Sequence, residues 1–391
     1  MLLESNMKAT KKKLIRITTV PISLDKLLEG QLKFMTTYFD VTAISGDDKY
    51  LKKIALREEV NYFEIEMTRK ITPLKDLIAV WKLYWFLKSN KPDILHSHTP
   101  KAGIIGMVAA RLAGVPVRLH TVAGLPLMEA VGIRRKILDV VERLTYQCAS
   151  FVYPNSKGLK DIIVKSKYTS EDKLKVILNG SSNGIDTHHF NSEQFDSNEK
   201  EKLKVKLGIL PDEFVYIFVG RLVKDKGIVE LVEAFVNLHM KFHKVKLLLV
   251  GPFEQELDPL PESTLDSIQQ HPNIITMGYQ KEVRPFFAIS DILVFPSYRE
   301  GFPNVVMQAG AMGLPAIVSD INGCNEIVEE GSNGTIIPVK NEKAIKNAME
   351  KMLLDKEYFS NLKQKARSSI VSRYEQKAVW EAILAEYNTH F

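Results

Sequence analysis

Short apolar runs ending on glycine or serine alternate with helical stretches along this 391-residue sequence, and the alternation starts afresh in the second half. In the first half, LIRITTVPI (residues 14–22), FDVTAISG (39–46), PDILHSH (92–98) and GVPVRLHT (114–121) read as strands. Residues 73–89, 102–112 and 134–148 carry helical periodicity. The second half repeats the scheme with DEFVYIFVG (212–220), VKLLLVG (245–251), NIITMG (273–278), DILVFPS (291–297) and LPAIVSD (314–320), with helices at 227–242 and between the last two runs. Several runs are apolar without strict alternation, as parallel strands covered on both faces require. The pattern predicts an α/β chain with two Rossmann-like, doubly wound parallel-sheet domains. A polar stretch at residues 183–201 is placed as the junction. The expected division is residues 1–190, 191–370, and a C-terminal helix at 371–391. In that helix Trp380, Ile383, Leu384 and Tyr387 share one face, which returns to the first domain.

Composition narrows the classes. Hydrophobic residues make up 45% and charged residues 26%, which excludes disordered and collagen-like chains. Cys148 and Cys324 stand far apart, so neither a disulfide framework nor a zinc knuckle is predicted, and a cytoplasmic setting follows. No apolar stretch has the roughly 20 residues that span a bilayer. The lysine-rich start is expected to be frayed. Residues 1–190 carry a net charge of +11 and the remainder −5. A basic half suits an anionic partner: a nucleic acid, a phosphorylated substrate or the anionic face of a membrane.

The sharpest motif is FVGRLVKDKG (218–227), a strand ending at Gly220, then Arg221, and Lys226 immediately before a helix. Ligands of open α/β sheets lie at the carboxyl ends of strands. Two cations there, with a helix N-terminus behind them, can face a diphosphate without a bound metal. The alternative reading is a solvated turn. GxGxxG and Walker patterns are absent from this stretch. In FPSYREGFPNVVMQAGAMGLPAIVSD (295–320), a loop with Glu300, Gly301 and Phe302 precedes a helix beginning near Pro303. Uncapped amides from Asn304 through Val305 to Val306 favour an anion. The carboxylate of Glu300 suits sugar hydroxyls and repels phosphate, although a local structural role for it stays open. Gly278 and Tyr279 follow a strand and are candidates to flank a pyrimidine.

His96 and His98 have the HxH spacing of metal-dependent hydrolases, but the further ligands such a site needs are not evident. A structural or substrate-lining role is favoured, and no metal site is predicted. His120 ends a strand in LHTVAG (119–124), whereas His188 and His189 read as connector residues. The helix at 134–148 opens with Arg134, Arg135 and Lys136 and is expected to turn Ile137, Leu138, Val141 and Leu144 inward. Trp81, Tyr84 and Trp85 are likewise expected in the core, with attachment to an anionic membrane surface as the alternative.

Taken together, GRLVKDKG and REGFPNVVMQAGAMGLP resemble the donor-site signature of glycosyltransferase family 4, retaining enzymes with the GT-B fold. LHTVAG and LNGSSNGIDTHHF (178–190) resemble its acceptor-side loop and interdomain junction, especially in bacterial enzymes that build surface polysaccharides. The resemblance implies that an N-terminal acceptor domain and a C-terminal donor domain face a cleft. Arg221 and Lys226 would bind the donor diphosphate, Glu300 the transferred sugar, and His120 the sugar near the reacting centre. It also implies a nucleotide-sugar donor, expected to be UDP-linked, a polyprenyl-diphosphate-linked glycan acceptor, no metal cofactor and no nucleic-acid partner. Where the family has a second glutamate, this chain has Gln308, which keeps an acceptor oxygen for the ribose but removes the charge. Retention would proceed by front-face attack, a donor phosphate oxygen taking the acceptor proton. A nucleotide-sugar epimerase and a catalytically impaired sugar-nucleotide binding protein remain the alternatives.

Overall fold

The computed structural model describes residues 11–68, 71–254, 256 and 258–391; the lysine-rich start expected to fray lies largely outside them. The chain forms two compact units, one of residues 1–183 with 379–391 and one of residues 184–378.

The first unit holds a six-stranded parallel sheet in the order β3-β2-β1-β4-β5-β6. Its strands are β1 (Lys13–Ile17), β2 (Asp40–Ser45), β3 (Asn61–Glu64), β4 (Ile94–Ser97), β5 (Val117–Val122) and β6 (Phe151–Pro154). Its helices are α1 (Pro21–Leu27), α2 (Gln31–Thr36), α3 (Asp48–Glu58), α4 (Pro73–Asn90), α5 (Pro100–Ala113), α6 (Gly132–Cys148) and α7 (Lys157–Lys165). The predicted first strand stops at Ile17 because Pro21 opens α1, where a missing N–H costs nothing. β3 escapes the sequence pattern because this edge strand, NYFE, buries almost nothing. β6 escapes it because it is four residues long and ends on proline, which an edge strand tolerates.

The second unit repeats the architecture in the order β12-β11-β10-β7-β8-β9. Its strands are β7 (Phe214–Val219), β8 (Val245–Val250), β9 (Ile274–Thr276), β10 (Ile292–Phe295), β11 (Ala316–Ser319) and β12 (Gly334–Ile337). The helices α8 (Ser197–Lys206), α9 (Ile228–His239), α10 (Glu262–Gln270), α11 (Arg284–Ala288), α12 (Asn304–Ala311), α13 (Cys324–Ile327), α14 (Glu342–Leu354) and α15 (Lys356–Tyr374) accompany them. α16 (Gln376–Asn388) follows, and from Val379 onward its residues belong to the first unit. The division therefore falls at 183/184 and 378/379 rather than at 190/191 and 370/371. Residues 184–190 are tied to the second unit's own backbone: Ile185 N donates to Tyr374 O at 2.8 Å, and Gln376 N to Ile185 O at 3.0 Å. The Arg367 guanidinium adds bonds to the carbonyls of Thr187 and Phe190, both at 2.8 Å.

Within the first unit the end of the chain completes a core. Val379, Ile383 and Tyr387 lie in one buried cluster with Leu14, Leu24, Leu32 and Val41. Beneath them Arg16 is fully buried, and its hydrogen bonds run to neutral groups: Nε to His98 Nε2 at 2.9 Å, Nη1 to the Tyr387 hydroxyl at 2.8 Å, and Nη2 to Gln31 Oε1. Burial holds its pKa below the usual arginine value. The Tyr387 oxygen also meets His96 Nδ1 at 2.5 Å, and His96 Nε2 meets Thr121 Oγ1 at 2.8 Å. The HxH pair is thus part of a network that joins β1, β4 and α16.

Two helices depart from the sequence reading. α4 buries Ala79, Leu83 and Leu87, and leaves Trp81 and Trp85 exposed rather than in the core. In α6 the buried positions are Glu142, Thr145, Tyr146 and Cys148, with Leu138 and Val141 half-buried, while Ile137 and Leu144 face outward. The inward stripe is rotated from the expected one because Tyr146, not Leu144, fills the space under α5. Cys148 and Cys324 are buried free thiols.

Tyr387→Phe removes the oxygen shared by Arg16 and His96 without altering the packed ring. We expect the first unit to lose about 1–3 kcal/mol, the cost of leaving buried donors unsatisfied, read as a lower urea midpoint.

Candidate active site

In the second unit the first strand, β7, has β8 on one side and β10 on the other. Crossovers leave β7 in opposite directions, so the loops after β7 and β10 flank the switch point where an open α/β sheet takes its ligand. The loop after β7 runs from Gly220 through a single 3-10 turn (Lys224–Lys226) to Gly227, which begins α9. Gly227 has φ +70°, and a Cβ there would overlap the Pro296 carbonyl of the β10 loop. Only glycine allows this approach. Two further bonds close the loops on each other, Tyr298 N to Asp225 O at 2.8 Å and Ser297 Oγ to Asp225 O at 3.3 Å.

This approach brings Lys226 and Glu300 together. Lys226 Nζ lies 2.5 Å from Glu300 Oε1, and Ser297 Oγ donates to the same oxygen at 3.0 Å. Both charged side chains are mostly enclosed, at 15% and 17% exposure. An ammonium has three donors, so one can hold Glu300 while two remain. The carbonyls of Glu300 and Gly301 accept from Asn322 Nδ2 at 2.7 and 3.1 Å, and Gly323 stacks its backbone against Gly301. Asn322, Ser297 and Asp225 escaped sequence reasoning because each acts through contacts between loops distant in sequence.

The other predicted residues divide by location. Arg221 is half-exposed and ion-paired with Glu254 on the loop after β8, not directed at the Lys226–Glu300 pair. Gly220 ends β7 in the shelter of the β8 loop, where Gly251 approaches its carbonyl; Gly251 N in turn donates to Gly278 O at 2.9 Å. The ends of β7, β8 and β9 are therefore contiguous. Tyr279 stands out from them, 71% exposed, as a free aromatic face. α12 begins at Asn304 after Pro303, and Asn304, Val305 and Gln308 form its half-open side. Phe302 contributes only its backbone, because its ring is buried against Tyr374 at 5.5 Å between centroids.

His120 is enclosed within the first unit. On β5 it points to the side opposite Thr121, into the layer of α5 and α6, and it is 2% exposed. Its Nδ1 lies 2.8 Å from Ser97 Oγ, its ring is 5.9 Å from that of Tyr146, and a Cβ on Gly103 of α5 would come within 2.6 Å of its Cε1. Desolvation pushes its pKa down to about 4. A side chain one position earlier than Thr121 on a strand points to the other face. The His120 ring is packed against Gly103 of α5 and faces Tyr146. Among the described residues no cluster of three potential metal ligands occurs.

Comparison with known proteins identifies the family. Residues 39–180 match the family model described as glycosyl transferase 4-like domain, and residues 199–369 match that of glycosyl transferases group 1. The chain is 34% identical over 379 residues to the capsular polysaccharide biosynthesis glycosyltransferase CapM of Staphylococcus aureus, covering 97% of each. It is 30% identical over 319 residues to the UDP-Gal:alpha-D-GlcNAc-diphosphoundecaprenol alpha-1,3-galactosyltransferase of Escherichia coli, covering 80% of this chain and 79% of that one. Among solved structures, a glycosyltransferase from Rickettsia africae superposes with a TM-score of 0.81 at 17% identity, covering 98% and 99% of the two chains. Anabaena Alr3699/HepE in complex with UDP-glucose gives 0.78 at 19% identity, covering 96% and 99%. Fold and family models thus define a two-domain glycosyltransferase with the GT-B architecture. The chain belongs to the group 1 glycosyl transferases, with a 4-like N-terminal domain.

Two outcomes test this description. Gly227→Ala should destabilise the second unit by several kcal/mol, because it adds a backbone overlap to the cost of a positive φ. Gly278→Ala, at φ +61° in open space, should cost about 1 kcal/mol; calorimetry separates the two. Burial also depresses the pKa values of His96, His98 and His120. The unfolded chain therefore takes up protons that the folded chain refuses. Stability should be full above the unfolded histidine value and fall as pH drops below about 6.5, with a slope of up to about 1.4 kcal/mol per pH unit for each imidazole. Urea titrations of His120→Gln should show a shallower slope, and its kcat should follow the folded fraction.

Proposed function

We propose that this chain is a retaining hexosyltransferase or N-acetylhexosaminyltransferase that moves a sugar from a UDP-sugar to a polyprenyl-diphosphate-linked glycan in cell-surface polysaccharide synthesis. The observation that carries the reading is the Lys226–Glu300 pair at the β7/β10 switch point, beside the open amides of α12. A donor laid across this site meets Lys226 and the helix N-terminus with its diphosphate and Glu300 with its sugar. Gln308 lies one turn along α12 for the ribose, and Tyr279 offers a face for the base. The acceptor class is supported by the E. coli relative, whose name specifies a diphosphoundecaprenol acceptor and a UDP-galactose donor.

In the proposed mechanism, departure of the sugar builds negative charge on the diphosphate. Lys226, the α12 amides and Arg221, once released from Glu254, are fixed where that charge develops, which favours the transition state over the ground state. This arrangement supplies through protein groups the charge stabilisation that a metal ion supplies in other transferases. The acceptor hydroxyl attacks from the face the leaving group vacates, its proton passes to a phosphate oxygen of the departing nucleotide, and the anomeric configuration is retained. Glu300 holds the sugar hydroxyls during the exchange.

Purified protein incubated with radiolabelled UDP-sugars and bacterial lipid extract should place label in the lipid fraction, with retained configuration by NMR and unchanged rate in EDTA. An isomerised nucleotide sugar and no labelled lipid would support the epimerase instead. Lys226→Ala should weaken UDP binding by about 10- to 100-fold, the range for one charged hydrogen bond. The loss in Arg221→Ala should be smaller, because that guanidinium must first leave Glu254. Glu300→Gln should retain UDP affinity while lowering kcat. Calorimetry and initial rates read all three.

A further inference from the structure

Arg16 is fully buried in the first unit, and among the described residues none of its bonds is to a carboxylate. Burial lowers its pKa, and only the Tyr387 hydroxyl offsets that effect. Glu386 of α16 does not balance the charge, because the Tyr153 hydroxyl at 3.0 Å and Lys175 hold its two oxygens. A buried charge of this kind is costly unless an opposite charge reaches it. Two hydrogen-bond relays lead away from the guanidinium. Arg16 Nε donates to His98 Nε2, so the neutral imidazole keeps its proton on Nδ1. Arg16 Nη1 donates to the Tyr387 oxygen, the Tyr387 hydroxyl to His96 Nδ1, and His96 Nε2 to Thr121 Oγ1. The Thr121 hydroxyl hydrogen then points onward. Burial, reinforced by Arg16, holds both imidazoles well below the usual histidine pKa, so both are neutral at pH 7.

Both relays end in the wall of one cavity. Its volume is about 20 Å³, room for one group the size of a water molecule. The lining includes His98, Thr121, Asn155 and Ser182 and belongs wholly to the first unit. His98 Nδ1, Asn155 Oδ1 and Ser182 Oγ are buried there without a protein partner, and His98 and Asn155 are only 2% and 6% exposed. Hydrogen bonds fix the frame around them: Asn155 N to Val122 O at 3.0 Å, Ser181 N to Asn155 O at 2.8 Å, and Gln31 Nε2 to Ser182 O at 3.0 Å. A half-turn of the Asn155 amide presents its NH₂ group, and the Ser182 hydroxyl can donate as well. Four donors therefore converge on one small space beside a buried guanidinium. A cation would be repelled there. A water molecule could accept from at most two of the donors and would leave the arginine charge unbalanced.

We propose that this cavity binds a small monovalent anion such as chloride, held by His98, Thr121, Asn155 and Ser182 and balancing the charge of Arg16 through the two relays. The volume excludes phosphate, sulfate and a sugar ring. Ser182 is only half-buried, so the cavity lies near the surface and a small ion can enter. Bound there, the ion ties the carboxyl ends of β4, β5 and β6 to residues 181–182, the stretch that leads out of the first unit at 183/184. It acts as a structural ligand of that unit, and the proposal does not rest on the transferase reading.

The test is urea unfolding of the full chain while gluconate is replaced stepwise by chloride at constant ionic strength. The midpoint should rise with chloride and saturate, because gluconate is too large for the cavity. Ser182→Ala removes one donor and leaves the backbone bond to Gln31 in place. It should raise the chloride concentration for half the effect by about tenfold, the loss of one hydrogen bond to a charged group. Asn155→Asp sets a negative charge in the wall and should abolish the response. Crystals grown in bromide should show an anomalous scatterer between His98 and Ser182. If Asn155→Asp does not fold, Ser182→Ala and the bromide position still decide. Equal midpoints in the two salts would overturn the proposal and assign the cavity to water. So would a chloride response unchanged by the variants, or bromide bound only elsewhere, because the ion would then act at another place. None of these readouts involves a sugar donor or acceptor, so failure of the transferase reading leaves them intact, and failure here leaves that reading untouched.

Discussion

The second unit's site depends on one backbone contact, the passage of Gly227 beneath the Pro296 carbonyl. A parallel sheet whose crossovers leave its first strand in both directions opens a gap at the switch point. Without a close approach there, the loops after β7 and β10 would be two separate solvent-facing turns. With it, a lysine on one loop and a glutamate on the other are 2.5 Å apart and mostly enclosed. The glycine contributes no chemical group; it sets the distance at which the chemistry can operate.

That distance also decides how the two charges behave. Enclosed opposite charges in contact satisfy each other, so the unliganded site does not hold a bare cation. The Arg221–Glu254 pair has the same character farther along the sheet edge, but it is more exposed and so more easily exchanged.

Much of this was legible in the sequence where one element carries the information. The buried strands β1, β2, β4, β5, β7, β8, β10 and β11 announce themselves as apolar runs, and Gly220, Lys226 and Pro303 mark the loop and helix boundaries around the site. The edge strands β3 and β12 do not, because they are short and bury little. Asn322 and Ser297 gain their importance from partners on other loops. The enclosure of His120 was not legible because motif position says nothing about which face of a strand a side chain occupies. Trp81 and Ile137 were misjudged because helical periodicity identifies an apolar stripe without saying that the protein itself covers it.

The network around Arg16 has a temporal consequence. Its guanidinium is enclosed by Gln31, His98 and Tyr387, and the cluster above it includes Val379 and Ile383. On the ribosome, residues 379–391 emerge only after the whole of the second unit has been made. Domains ordinarily mature in order of synthesis, but this first unit must wait with an incomplete core and an unsatisfied arginine while its successor is translated. The N-terminal domain can therefore close its core only after the last residues of the chain have been made.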